Sequence, residues 1–362
     1  MMTKVLIYSP THTNVWGGGQ IYIEQLCRYM NEKGVETYIL SSNPDSFNVP
    51  TLPMPIAHPK WRRFTSAFGL AKHYKGEGFN TIILNDLASL WLAPIFKLYG
   101  YRVISLLLNY LQRRSENPLG HSEVEYRLLK WSAYFCDNMF SVDKNNQKIF
   151  GKDRVVFVGN YVPDWFWDIP EKVNTKDKYD FLLLARFAKQ KNIPLFLEIL
   201  HNSHKLGKKY SALIVGDGPE RENILDMIEK YGLKDSITIE GWVSREELPN
   251  VYDRGKCFVI SSLHEGFATT LLESHARGLP AIVTKSSGFC GEFVEGYGAS
   301  TGFVFEPDDL KRDSFYNKVS KLIAEYESYG EKCRKKAKVF TEENVLGEIL
   351  NTVNDIDRAD VR

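Results

Sequence analysis

The chain has 362 residues, 43% hydrophobic and 25% charged, a globular composition long enough for two cores and without an apolar run that would cross a bilayer as a helix. Five cysteines, Cys27, Cys136, Cys257, Cys290 and Cys333, are scattered with no CxxC pair, which argues against a zinc site or a disulfide framework and for a reducing, cytoplasmic setting. The formal net charge of +1 hides an asymmetry: residues 1–165 hold 18 Lys/Arg against 13 Asp/Glu and the rest 28 against 32, so an anionic surface or ligand is expected on the first half.

Taken in chain order, residues 4–8 read as a first strand rather than as an export signal, because polar residues and Pro10 come at once after them. A glycine-bearing loop, Thr11 to Gly19, then leads into a helix over 20–33. Glycines at a strand–helix turn let backbone amides approach a phosphate or a sugar, and Gly18 and Gly19 are candidates for that contact. Tyr22 stands where a GxGxxG repeat needs its third glycine, which speaks against a nicotinamide or flavin site. Further strands are expected over 37–40, 81–84, 102–108, 138–142 and 155–158. They are continuously apolar rather than alternating, the pattern of strands covered on both faces of a parallel sheet. Residues 163–178, with two prolines, several charges and Trp165, Phe166 and Trp167, read as a linker.

The second half repeats the alternation, with strands over 181–184, 212–215, 237–239, 257–260, 281–284 and 302–305 and helices over 193–206 and 221–230. Ligands of open parallel sheets bind beyond the carboxyl ends of the strands, so the segment after each strand carries the functional information. After the first come Arg186 and Lys191, a forked guanidinium and an ammonium suited to an anionic diphosphate. After the second come Gly216, Asp217 and Gly218. After 257–260 comes the densest stretch, Ser261 to Pro280: Glu265 in a loop, then a helix from Thr269 that carries Glu273 and closes at Gly278. The helix N-terminus offers free amides to a phosphate, with one carboxylate on either side of it. Taken singly, each of these is an ordinary turn or surface charge, and His264 and His275 are assigned no role. The last helical pattern, about 342–353, is too short to open a third domain and has to pack on one already built.

Ser262-Leu263-His264-Glu265-Gly266-Phe267 running on to Glu273 resembles the Glu-x7-Glu segment of the GT4 glycosyltransferases, which have the GT-B fold. The likeness extends to Gly18-Gly19, Gly34, Asn160-Tyr161-Val162, the Arg186-x4-Lys191 spacing, Gly216-Asp217-Gly218, Gly241-Trp242-Val243, and Gly288 with Glu292, and spans about residues 4–355. It implies an α/β fold of two doubly wound Rossmann-like parallel-sheet domains facing across a cleft. These are an acceptor-side domain over 1–165 and a nucleotide-sugar domain over 166–341, with a C-terminal helix and tail, 342–362, crossing back to the first. It implies a retaining transferase that moves a hexose-type sugar from a UDP- or GDP-linked donor to a glycan or lipid-linked acceptor in cell-surface polysaccharide synthesis. No cofactor, no metal and no nucleic acid are expected.

The resemblance also implies residue roles. Arg186 and Lys191 would hold the diphosphate. Glu265 would contact the transferred sugar with the Gly266, Phe267, Ala268 and Thr269 backbone beside it, and Glu273 would hold the ribose. Asp217, Gly241 and Val243 would lie along the donor. Asp86 and Asn109 are the acceptor-side candidates. Many relatives carry a histidine where Asn109-Tyr110 stands here, and Asn109 can hydrogen-bond but cannot act as a base near neutral pH. Two other readings stay open: a nucleotide-sugar 2-epimerase on the same scaffold, and a non-catalytic donor-binding subunit. A metal-dependent Asp-x-Asp enzyme is disfavoured, since the one such triplet, Asp355-Ile356-Asp357, sits in the polar tail. Peripheral contact of the N-terminal half with the inner membrane face is expected from the charge excess and from the clusters Lys60-Trp61-Arg62-Arg63-Phe64 and Tyr110-Leu111-Gln112-Arg113-Arg114.

Overall fold

The computed structural model describes residues 3–9, 18–54, 60–115, 120–167 and 178–354, with backbone only at 60–65. The chain divides into two compact units, residues 1–159 with 343–362, and residues 160–342.

The first unit is built on a seven-stranded sheet of order β3-β2-β1-β4-β5-β6-β7. Its strands are β1 (Lys4–Ser9), β2 (Glu36–Ser41), β3 (Thr51–Pro53), β4 (Thr81–Asn85), β5 (Arg102–Leu107), β6 (Asn138–Ser141) and β7 (Val155–Phe157). All pairings are parallel. β3 is absent from the sequence reading because it has three residues and ends in a proline. An edge position tolerates that proline, since nothing beyond it needs the missing N–H. One face of the sheet is packed by Leu6, Leu84, Val103 and Leu107 against Ala71, Phe96, Tyr126 and Leu129 of the surrounding helices. The C-terminal helix, Glu342–Asn354, belongs to this unit: Tyr29 donates to Glu343 at 2.7 Å and Arg102 to the Thr352 carbonyl at 2.9 Å. Five of its apolar side chains are buried, which supplies the packing that its short pattern requires.

The second unit has a six-stranded parallel sheet of order β10-β9-β8-β11-β12-β13. The strands are β8 (Tyr179–Leu184), β9 (Ala212–Val215), β10 (Ile237–Glu240), β11 (Gly255–Ile260), β12 (Ala281–Thr284) and β13 (Gly302–Phe305). The division at 159 falls ahead of the expected linker because residues after it are already fastened here. Val162 bridges to Thr341, and Phe166, on a 3-10 turn Asp164–Trp167, is wholly buried against Tyr252. Residues 168–177 of the expected linker lie outside the described residues. In both sheets the chain winds outward from the first strand and then returns to its other side. The topological switch points, where such folds form their ligand crevices, are therefore β1/β4 and β8/β11.

All five cysteines are free and buried. Among the described residues no helix is long and apolar enough to cross a membrane.

Candidate active site

The β8/β11 switch point brings together two loops separated by 74 residues of chain. The turn after β8 runs through Ala185 and Arg186 into a short 3-10 turn, Lys189–Lys191, and Asn192 adopts the left-handed conformation at the mouth of the Ile193–Lys205 helix. The loop after β11 runs from Ser261 to Ala268 and opens the Thr269–Ala276 helix. They are laced together by backbone and side-chain bonds: Leu263 N–H to the Gln190 carbonyl at 2.8 Å, Gln190 Nε2 to the His264 carbonyl at 3.0 Å, and Ser261 Oγ to the Lys191 carbonyl at 2.9 Å. At the centre Lys191 Nζ pairs with Glu265 Oε1, which also accepts from Ser262 Oγ at 2.9 Å. The Glu265 side chain is only 11% exposed, so its charge sits in a partly dry setting where such a pair is strong.

Gly288 keeps this loop in place from below. Its φ is +53°, and a Cβ there would sit 2.2 Å from the Glu265 carbonyl oxygen. Thr284 Oγ1 and Ser286 Oγ both donate to the Ser262 carbonyl, at 2.7 and 2.9 Å. The Phe267 ring is buried among Phe289, Phe293 and Phe340, its carbonyl accepts from Asn160, and the Gly266 carbonyl accepts from the Phe289 amide. The Ala268 amide donates to the buried Cys290 thiol at 3.3 Å. Thr269 is the first residue of the helix.

Glu273, one turn into that helix, is held by a different partner. The hydroxyl of the fully buried Tyr252 donates to its Oε2 at 2.7 Å. Burial raises the Glu273 carboxyl above its ordinary value, while the Tyr252 hydrogen bond and Arg245 pull it back down. A carboxyl placed this way gains from any ligand that brings hydroxyl donors to it. Sequence reasoning names Ser262 only as the start of the Glu-x7-Glu segment, with no role, and does not name Tyr252. Ser262 carries a signal, three residues before Glu265; Tyr252, on the short Leu248–Tyr252 helix, carries none.

The remaining candidates are spread along the strand ends. Arg186 is exposed, with no side-chain partner among the described residues. Asp217 sits in the turn after β9, where its Oδ1 accepts from the Gly218 amide at 2.7 Å and its carbonyl from the Phe187 amide at 2.8 Å. A Cβ at Gly216 would lie 2.0 Å from the Ala185 carbonyl oxygen, so only glycine lets these two loops approach. Gly241 and Val243 flank the exposed Trp242 just past β10, whose last residue, Glu240, is clamped by Arg254 at 2.8 and 2.7 Å.

In the first unit, Gly18 and Gly19 open the Gly18–Glu32 helix; the preceding loop, 11–17, is outside the described residues. Asp86 stands just past β4 with φ +68°, a conformation that non-glycine residues hold only when their surroundings impose it. Its Oδ1 caps the Leu87 amide at 2.8 Å, and Asn109 Nδ2 donates to both its oxygens at 3.1 Å. Asn109 thus lies beside Asp86 at neighbouring strand ends.

His275 is structural. It is fully buried, bonded through Nε2 to Thr301 Oγ1 at 2.8 Å, and burial together with the nearby Lys336 ammonium pushes it down to about 3. Its neutral form contributes stability in full above its ordinary 6.5. That stability is lost as pH falls from 6.5 toward 3, at about 1.4 kcal/mol per pH unit, because only the unfolded chain takes up the proton. The difference in urea stability between the wild type and His275→Gln should change with this slope between pH 6.5 and 4.5.

Two parallel-sheet units of this build define the GT-B class of glycosyltransferase fold. The Anabaena protein HepE, solved in complex with UDP, superposes with a TM-score of 0.79 at 13% identity, covering 98% of this chain and 100% of that one. Residues 166–340, nearly the whole of the second unit, match the family model "Glycosyl transferases group 1". Among named relatives, the amylovoran biosynthesis glycosyltransferase AmsD of Erwinia amylovora is 36% identical over 143 residues, 40% of this chain and 38% of its own length. The alpha-D-kanosaminyltransferase of Streptomyces kanamyceticus is 26% identical over 140 residues, 39% of this chain and 36% of its own length. The chain therefore matches little more than a third of the length of either relative.

Proposed function

We propose that the chain is a retaining glycosyltransferase that moves a hexose-type sugar from a UDP- or GDP-linked donor to a glycan or lipid-linked acceptor, in the cytoplasm and in the service of cell-surface polysaccharide synthesis. The observation that carries this reading is the Lys191–Glu265 pair at the β8/β11 crevice, at the mouth of a helix N-terminus within the group 1 segment. When the bond between the anomeric carbon and the diphosphate oxygen breaks, negative charge grows on the diphosphate and positive charge on the ring. Lys191, Arg186 and the amides at the start of the Thr269–Ala276 helix meet the first; the Glu265 carboxylate lies against the second. Glu273 takes the ribose hydroxyls, Asp217, Gly241 and Val243 line the donor, and Asp86 with Asn109 receives the acceptor. The amylovoran enzyme and an Escherichia coli relative named as a UDP-Gal:alpha-D-GlcNAc-diphosphoundecaprenol galactosyltransferase, 28% identical over 207 residues, support the direction of this reading.

The diphosphate charge is met by side chains and amides, so no metal is required. Transfer should persist in EDTA, and proton NMR of the first-formed product should show the donor's anomeric configuration. Activity that vanishes in EDTA and returns with magnesium or manganese, or an inverted product, contradicts the mechanism. A 2-epimerase would instead release an epimerised sugar with no acceptor product.

A further inference from the structure

The Glu123–Ser132 helix of the first unit carries two apolar stripes where a surface helix needs one. Tyr126 and Leu129, continued by Ala133, are buried in the unit's core. Val124, Leu128 and Trp131, spaced by four and three residues and hence on one face, point the other way and are 69%, 53% and 53% exposed. The stripe continues onto Tyr134 in the 3-10 turn Ala133–Phe135, against which the Ala93–Leu98 helix packs, and that helix ends in the exposed Leu98. A row of exposed apolar side chains of this kind on a surface helix signals a partner.

Its rim is cationic. Arg127 flanks the stripe, Arg113 reaches Glu123, the residue before Val124, at 3.4 Å, and Arg154 stacks over Tyr134 at 4.7 Å. Of the two acids that adjoin Val124, Glu123 is taken up by Arg127 at 2.8 Å and Arg113 at 3.4 Å, and Glu125 accepts from the Ser122 amide and hydroxyl at 3.1 and 3.0 Å. Residues 97–154 hold ten Lys/Arg against six Asp/Glu, a net +4 that accounts for most of the excess in the N-terminal half. A second copy of the same face would bring like charges together. A bilayer of anionic lipid offers an apolar interior to Leu128 and Val124, a headgroup layer to the amphipathic rings of Trp131 and Tyr134, and negative charge to the rim.

We propose that this face of the Glu123–Ser132 helix docks on an anionic phospholipid surface. The Lys60–Phe64 cluster has no described side chains and adds nothing to the case, whereas Arg113 of the second cluster belongs to the rim. The inference rests on the reading of a membrane-borne acceptor, but its test does not use that acceptor.

The test is co-sedimentation of the full chain with phosphatidylcholine vesicles containing or lacking phosphatidylglycerol, at low and high salt. The wild type should bind the anionic vesicles and release with salt. Leu128→Glu/Trp131→Glu should bind about tenfold more weakly or not at all, and Arg113→Glu/Arg127→Glu should lose the salt-sensitive part. Circular dichroism and nucleoside diphosphate binding should be unchanged in both, since every altered side chain is exposed. Absence of wild-type binding to anionic vesicles, or equal binding by Leu128→Glu/Trp131→Glu, overturns the proposal. So does a wild-type dimer in sedimentation equilibrium that this variant abolishes, because the face then joins two copies. If docking fails while nucleotide binding persists, the transferase reading stands alone.

Discussion

Glu265→Ala should lower turnover by roughly 10²–10³-fold at saturating donor and leave nucleoside diphosphate affinity almost unchanged. In the proposed mechanism the carboxylate faces the ring whose charge develops as the bond breaks, and it is not among the groups assigned to the nucleotide. Its removal also frees Lys191, whose charge Glu265 otherwise neutralises. Lys191 is then more available to phosphate, so nucleotide affinity should hold or rise slightly. Glu265→Gln keeps a hydrogen-bond acceptor for Ser262 and should fall between wild type and alanine. Glu273→Ala should do the opposite kind of damage. Hydrogen bonds to a charged group contribute roughly 1.5–3 kcal/mol, so nucleotide affinity should drop by about tenfold or more. The Tyr252 hydroxyl is left buried without its acceptor as well, so thermal unfolding should be measured beside the titration. Calorimetric titration of UDP and GDP into both variants, paired with turnover, separates the two roles. Loss of nucleotide binding in Glu265→Ala with both quantities intact in Glu273→Ala reverses the assignment.

The largest stability effect should come from Arg277. Its side chain is wholly buried and donates to Asp253 through Nε at 2.9 Å and Nη2 at 2.5 Å, and through Nη1 to the Phe166 carbonyl at 3.4 Å. Asp253 comes directly after the short helix that presents Tyr252 to Glu273, so this pair ties Glu273 to the start of the unit. Arg277→Met leaves the Asp253 carboxylate mostly buried and without its partner, which costs about 3–5 kcal/mol. For a unit of this size that corresponds to a fall in Tm of roughly 6–20 °C. Arg277→Met/Asp253→Leu removes both charges and should recover much of the loss. Differential scanning calorimetry decides it; a single variant within 1 °C of wild type shows that the pair contributes little.

The parallel architecture was legible because its signal is local. The runs 212–215 and 281–284 are four apolar or β-branched residues between turn formers, and they became β9 and β12 with the expected bounds. The helix over 221–230 did the same. β3 escaped because three residues ending in proline carry no periodicity. Residues 163–167 looked like linker by composition, yet Phe166 is a core residue, since aromatic burial depends on Tyr252 far along the chain. The site divides along the same line. Glu265, Glu273, Arg186 and Lys191 stand out because each lies in the segment just beyond a strand's carboxyl end. That Lys191 reaches Glu265 while Arg186 stays exposed, that Tyr252 holds Glu273, and that the Ala268 amide is spent on Cys290 are facts of packing across many tens of residues. No spacing rule encodes them.

On the proposed reading the Glu265 loop works on a nucleotide sugar. Its most direct test is nucleoside diphosphate release from a panel of UDP-, GDP- and ADP-sugars, measured without added acceptor, by wild type and Glu265→Ala. Slow release from a UDP- or GDP-hexose by the wild type, reduced at least about a hundredfold in the variant, is the predicted result. No release from any donor, or equal rates from both proteins, would contradict it.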